Sequence, residues 1–297
     1  MLTSFLINNP GHHSYYLLDH SLSNESIQKI HECLKNYDVD IIRLKIDFGQ
    51  HEGKLRTTNN WTIDTYSTLL IQDIIPHDVD RILYLDADTI VNASIEELYY
   101  IDFEENCIVA TDDSNGKNTI SDYSDIQIEM MQNNISSYFN TGTMLMNLEL
   151  IRKNNSFETY MKVMEKWNYN MTALEQDVLN HSYIGLVKKV PWEKYNLFAR
   201  FAHNDGWNYN QVLNETSIVH FAGVKPWQNL SFHYDIEKLW WDYAAKTPIF
   251  NEITGAFISD MCTNHLVEDQ IRNLIHENQE QKQLINKMYN LLSQMNK

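Results

Sequence analysis

Two short stretches carry residue types that can do ionic chemistry. Asp86-Ala87-Asp88 directly follows the apolar run Arg81-Ile82-Leu83-Tyr84-Leu85. That run predicts a strand buried on both faces, and carboxylates two residues apart on extended chain point the same way, so both can face one cation. In open α/β sheets ligands bind beyond the carboxyl ends of strands, where this pair falls. A solvated strand end or a turn would produce Asp-x-Asp equally well. The second stretch is Ser217-Ile218-Val219-His220-Phe221-Ala222-Gly223-Val224-Lys225-Pro226-Trp227. A strand would deliver His220, Gly223 would let the backbone approach a ligand, and Lys225 would offer a point charge suited to phosphate. Singly, His220 fits a core histidine and Lys225 a surface lysine; the pair across one glycine turn fits those readings less well. Carboxylate oxygens suit Mg²⁺ or Mn²⁺, and an added imidazole tilts the choice toward Mn²⁺.

The elements that must position these residues alternate between short apolar runs and helical patterns, which predicts an α/β fold with a mainly parallel sheet. Strands are expected at Tyr15–Leu18, Asp40–Ile46, Arg81–Leu85, Cys107–Thr111, Thr143–Asn147, Leu186–Val190 and Ser217–Phe221. Helices are expected at Glu25–Lys35, over 62–75 up to Pro76, at Leu148–Trp167 and at Leu174–Ser182. Ser94-Ile95-Glu96-Glu97 and Thr172-Ala173-Leu174-Glu175 both read as capping boxes. Toward the end, Val267, Ile271, Leu274, Ile285, Met288, Leu292 and Met295 follow a spacing of four and three, interrupted by Asn278 and Gln281. This predicts one long amphipathic helix that packs on its own domain or forms a dimer seam.

A chain of 297 residues with 43% hydrophobic and 12% aromatic content can bury a substantial core without disulfide staples. Its formal net charge of −17 works against nucleic acid and anionic membrane surfaces as partners. A phosphate-bearing ligand still fits if a bound cation reverses the local sign. Cys33, Cys107 and Cys262 are an odd count without metal spacing, which reads as reduced, mostly buried thiols. Triplets such as Asn134-Ile135-Ser136 and Asn229-Leu230-Ser231 carry no weight without a secretory signal, and no apolar run is long enough to span a bilayer. A cytoplasmic location is expected.

Four ordered motifs together with a closing helix resemble glycosyltransferase family 8, the retaining enzymes of the GT-A fold. They are Arg81–Asp88, Phe139-Asn140-Thr141-Gly142-Thr143-Met144-Leu145-Met146-Asn147, Glu175-Gln176-Asp177-Val178-Leu179-Asn180 and His220–Trp227, with Trp240-Trp241-Asp242-Tyr243 in the closing helix. The likeness runs from near Met1 to about Pro248 and implies a GT-A, Rossmann-like domain over 1–250 with a helical extension over 251–297. It implies that Asp86, Asp88 and His220 bind Mn²⁺, with Mg²⁺ as a possible substitute, bridging the diphosphate of a UDP-hexose. The implied donor-contacting residues are Asp86, Ala87, Asp88, Gly223, Lys225 and Trp227, with Gly223 and Lys225 on the phosphates. Asn140, Glu175 and Gln176 would line the donor sugar as the catalytic set. The new bond would keep the anomeric configuration; Gln176 is a poor nucleophile, which favours same-face attack by the acceptor itself.

Three departures from the family pattern stand out. The family's opening strand and Asp-rich uridine-gripping turn have no counterpart ahead of Met1–Asn9, so the chain begins inside the expected first helix. Thr68, in Tyr66-Ser67-Thr68-Leu69, occupies the place of a donor-holding arginine and supplies no charge. The family's Asp-Gln-Asp reads Glu175-Gln176-Asp177, and Glu175 also completes one of the capping boxes. The leading expectation is a glucosyl- or galactosyltransferase acting on a glycan, glycoprotein or lipid-linked acceptor. Its main alternative is a weakly active or non-catalytic relative that partners a complete enzyme. A metal-dependent phosphohydrolase is supported by nothing beyond Asp86 and Asp88.

Overall fold

The computed structural model describes residues 1–57, 62–116, 125–132, 138–228 and 233–263, with a few positions beyond. Nine strands form among them: β1 (His13–Asp19), β2 (Val39–Lys45), β3 (Arg81–Leu85), β4 (Thr89–Val91), β5 (Ile108–Asp112), β6 (Phe139–Asn147), β7 (Val187–Lys189), β8 (Leu197–Phe198) and β9 (Ile218–His220). They group as β1-β2, as β3-β6-β5-β7 and as β4-β9-β8. The α/β, mixed-sheet expectation is met. Antiparallel pairing takes a larger share than expected, because β6 runs back between β3 and β5 and β4 runs against β9. Parallel pairs join β1 to β2, β5 to β7 and β8 to β9.

β6 is the axis of the molecule. Its first eight residues are buried, and it is hydrogen-bonded on both sides. The largest apolar cluster packs on it through Met144, Met146, Tyr160, Val178, Leu179 and Tyr183. The helix Glu175–Ser182 is pinned to the start of β6 by Asn180, whose side chain accepts from Phe139 N at 2.7 Å and donates to Phe139 O at 2.8 Å. Gln176 lies one turn earlier on the same helix face and therefore meets β6 next to it.

β3 differs from its expectation. Every one of its five residues is only half-buried, although the run is almost wholly apolar. Burial of a strand depends on its neighbours, and among the described residues β3 has β6 on one edge and no strand on the other. β1 likewise pairs along one edge only, with β2, and most of its residues are half-buried. Tyr15 of β1 and Tyr84 of β3 are close enough for one to disfavour ionisation of the other, while burial raises both phenols far above their ordinary value.

Local corrections follow from side-chain competition. The helix expected over Leu148–Trp167 divides into Leu148–Asn154 and Phe157–Lys166, because Ser156 and Thr159 form a capping box that starts the second piece. The segment 62–75 is a 3-10 helix over Ile63–Leu70 followed by Ile71–Ile74, and it ends before Pro76 as expected. Neither expected capping box forms. Ser94 accepts from Glu96 N at 3.3 Å instead, and Asp177 takes the amides of Thr172 and Ala173 at 3.0 and 3.1 Å. The cysteines are free, with Cys107 buried, Cys33 half-buried and Cys262 exposed. The helix Phe250–Thr263 is present, whereas the seam from Val267 to Met295 lies outside the described residues, as do both Asn-x-Ser triplets. No helix among the described residues is long and apolar enough to cross a membrane.

Candidate active site

Asp86 and Asp88 sit on a turn rather than on extended chain. Thr89 closes it, donating from its amide and its hydroxyl to Asp86 O at 3.2 and 2.8 Å. The turn is stitched to two sheets: Asp86 N donates to Gly142 O of β6 at 2.9 Å, and Phe221 N, just beyond β9, donates to Asp88 O at 3.1 Å. Thr89 pairs with His220 in the β4–β9 register, which sets the imidazole beside the carboxylates. Ala87 is exposed between them.

Three ligand atoms converge. His220 Nε2 lies 3.2 Å from Asp88 Oδ1 and 3.6 Å from Asp86 Oδ2, and all three lie within 4.8 Å of one another. The remaining oxygens are taken: Tyr84 OH donates to Asp86 Oδ1 at 2.8 Å, and Lys225 Nζ to Asp88 Oδ2. Gly142 forms the floor. A Cβ there would stand 2.7 Å from Asp86 Oδ2 and closer still to the His220 ring, so only glycine admits the cluster. Two carboxylates and an imidazole with one facing atom each form a donor set that fits Mn²⁺ or Mg²⁺.

The charges in this corner are strongly linked. Burial opposes ionisation of Asp88, but the His220 imidazole and the Lys225 ammonium outweigh it and hold the carboxyl far below the ordinary range. For Asp86 burial prevails over His220, and the carboxyl is raised. His220 is also raised, because the two aspartates overcome its burial.

Beside this corner lies a network of neutral amides. Asn140 Nδ2 donates to Asp113 Oδ1 and to Gln176 Oε1, each at 3.0 Å. Gln176 Oε1 also accepts from Thr141 N at 3.0 Å. Glu175 is 7% exposed, and its Oε1 accepts from Thr141 Oγ1 at 3.4 Å. Its Oε2 is buried and has no hydrogen-bond partner among the described residues. Burial first, then the nearby Asp86 charge, raise its carboxyl well above the ordinary value. Leu174, just before it, adopts φ 47°, ψ −120°, a costly backbone for a branched residue and one that clusters at functional sites. Asp177 takes the Thr172 amide that a capping box would offer to Glu175, so Glu175 has no capping duty.

Other expected residues are placed as follows. Gly223 turns at φ 81° with open space around its Cα. Trp227 packs on Trp240 with ring centroids 4.8 Å apart. Thr68 is buried, its hydroxyl donating to Thr65 O at 3.4 Å. Sequence reasoning assigned no role to Gly142, Tyr84, Asp113 or Asn196. Only Gly142 carried a signal, as a glycine inside a strand, which marks close approach.

The chain is 29% identical over 236 residues to a lipopolysaccharide 1,3-galactosyltransferase of Salmonella typhimurium, covering 77% of this chain and 68% of that protein. It is 25% identical to a lipopolysaccharide 1,2-glucosyltransferase of Escherichia coli, with the same coverage of each chain. Among solved structures, the galactosyltransferase LgtC in complex with donor and acceptor sugar analogs superposes with a TM-score of 0.70 at 21% identity, over 83% of this chain and 90% of that one. The glycosyltransferase GlyE of Streptococcus pneumoniae superposes with a TM-score of 0.60 at 20% identity, over 88% of this chain and 60% of that one. These likenesses show a GT-A fold. The sequence model of glycosyl transferase family 8 matches residues 1–231, and so the chain belongs to glycosyltransferase family 8.

Proposed function

We propose that this glycosyltransferase is a retaining hexosyltransferase that moves glucose or galactose from a UDP-sugar to a glycan, glycoprotein or lipid-linked acceptor, with Mn²⁺ at Asp86, Asp88 and His220. The observation that carries the reading is the convergence of Asp86 Oδ2, Asp88 Oδ1 and His220 Nε2 next to Lys225 in a family 8 chain. A cation held there supplies Lewis-acid stabilisation of the departing diphosphate. Lys225, paired with Asp88 beside the cluster, would supply a second positive charge for the diphosphate. Asn140, Gln176 and Glu175 face the donor sugar from the neighbouring network. Gln176 Oε1 is already held by Thr141 N, so this amide orients rather than attacks, which favours same-face attack by the acceptor hydroxyl. Glucose and galactose as candidates follow from the two lipopolysaccharide transferases above.

The reading of a weakly active partner protein also has an observation behind it. Thr68 brings no charge to the donor side, and among the described residues β1 and β3 each leave an edge unpaired. One assay separates the two: Mn²⁺-dependent UDP release and glycan formation across a panel of UDP-sugars. Turnover of UDP-glucose or UDP-galactose with an α-linked product supports the enzyme. Tight UDP binding with no turnover on any donor supports the partner.

A further inference from the structure

We propose that Asn196 is a positioning residue that fixes the tautomer of His220 and couples the cation corner to the sugar-facing amides. The inference rests on the reading of the site just given. Asn196 is fully buried, directly precedes β8, and its side chain reaches residues of β5, β6 and β9. Its Oδ1 is 3.0 Å from His220 Nδ1, and its Nδ2 donates to Asn140 Oδ1 at 2.9 Å and to Thr111 Oγ1 at 3.1 Å.

The proton positions follow from a backbone amide, which can only donate. Gly142 N donates to Asn140 at 2.9 Å, so the atom it meets is the carbonyl oxygen of that side chain. The Asn196 atom facing the same oxygen must then be its NH₂. This turns the Asn196 oxygen toward His220 Nδ1, and Thr143 Oγ1 reaches that oxygen too, at 3.4 Å. A carbonyl oxygen needs a donor opposite it, so Nδ1 carries a hydrogen in either charge state, and in the neutral ring it is Nε2 that keeps the lone pair, aimed at the space between Asp86 and Asp88. At the other end, Thr141 N fixes Gln176 Oε1 by the same logic, and Asn140 Nδ2 donates to it. An unbroken chain of oriented groups therefore runs from the cation ligand through Asn196 and Asn140 to Gln176. A partner on the second ring nitrogen is the usual device for holding a metal-binding imidazole in its ligating form. Here that partner is an amide that also reaches the sugar side.

Two substitutions separate the two jobs. Asn196→Ala removes both. Asn196→Asp keeps an acceptor for Nδ1 and loses the donor to Asn140. Mn²⁺ binding to the sugar-free protein, the ¹⁵N spectrum of the His220 ring at a pH above its titration, and affinities for UDP and UDP-sugar are measured for each. For Asn196→Ala the expected result is Mn²⁺ affinity lower by about 10–100-fold, with the Nε2–H tautomer now populated. For Asn196→Asp the expected result is the wild-type tautomer and Mn²⁺ affinity, with UDP-sugar bound more weakly and UDP unchanged. If Asn196→Ala does not fold, the split in Asn196→Asp decides. Equal losses for UDP and UDP-sugar in Asn196→Asp, or wild-type tautomer and Mn²⁺ affinity in Asn196→Ala, overturn the proposal. Asp88→Asn is the control: if it too leaves Mn²⁺ binding intact, the metal site itself is misplaced and not merely the role of Asn196.

Discussion

The cation corner and the amide network touch through Asn196, yet they are built on opposite principles. Asp86, Asp88, His220 and Lys225 are ionisable, the imidazole buried and the other three half-buried, and each shifts the ionisation of its neighbours. Asn140, Gln176 and Asn196 are neutral, and their orientations are traceable to backbone amides on β6. A buried charged cluster is costly until a counter-ion completes it, whereas a satisfied neutral network is rigid before any ligand arrives. On the proposed function the comparison teaches a division of labour: the sugar-facing geometry would be preformed, and the charge balance would be left for the cation and diphosphate to settle.

The largest expected effect comes from the floor that both regions share. In Gly142→Ala the new methyl collides with Asp86 Oδ2 and a His220 ring that is 3% exposed and cannot swing out. Overpacking of this kind costs about 1–3 kcal/mol, so thermal unfolding should fall and Mn²⁺ binding should vanish. Wild-type Mn²⁺ affinity in this variant would show that the corner yields and is not preformed.

Lys225→Ala tests the charged side alone. A hydrogen bond to a charged group contributes about 1.5–3 kcal/mol, so UDP affinity with Mn²⁺ should drop by about tenfold or more while uridine binding holds. Equal losses for both ligands would remove Lys225 from the diphosphate.

Glu175 borders both regions, and its raised carboxyl gives a pH signature. A group raised in the folded state contributes stability below its unfolded value and loses it as pH climbs through the folded value. Glutamine has no such loss. The melting temperature of Glu175→Gln relative to wild type should therefore rise as the pH climbs above 4.5, the ordinary glutamate value, by up to about 1.4 kcal/mol of stability per pH unit. A difference that stays flat with pH would mean that Glu175 is not held in its neutral form.

The charged corner was legible in sequence because its signals are local. A short apolar run places Asp86 and Asp88 at a strand end, and Ser217–Val219 does the same for His220. The burial of β3 was not legible, since it depends on a second neighbouring strand and not on β3 itself. Thr172-Ala173-Leu174-Glu175 matched a capping pattern, but Asp177, already held by Gln127 and Tyr138 at 2.7 and 2.6 Å, takes the free amides instead. Periodicity ran unbroken through Asn155-Ser156, where a cap divides the helix. Asn196 had no signal at all: its partners come from three strands that meet only in the folded chain.

The central claim is that Asp86, Asp88 and His220 bind the cation through which a nucleotide diphosphate is held. Calorimetric titration of UDP with and without Mn²⁺, on wild type and on Asp88→Asn, tests it most directly. The account predicts tight binding to wild type only with Mn²⁺, and loss of that binding in a folded Asp88→Asn protein. Undiminished Mn²⁺-dependent UDP binding in Asp88→Asn would contradict it.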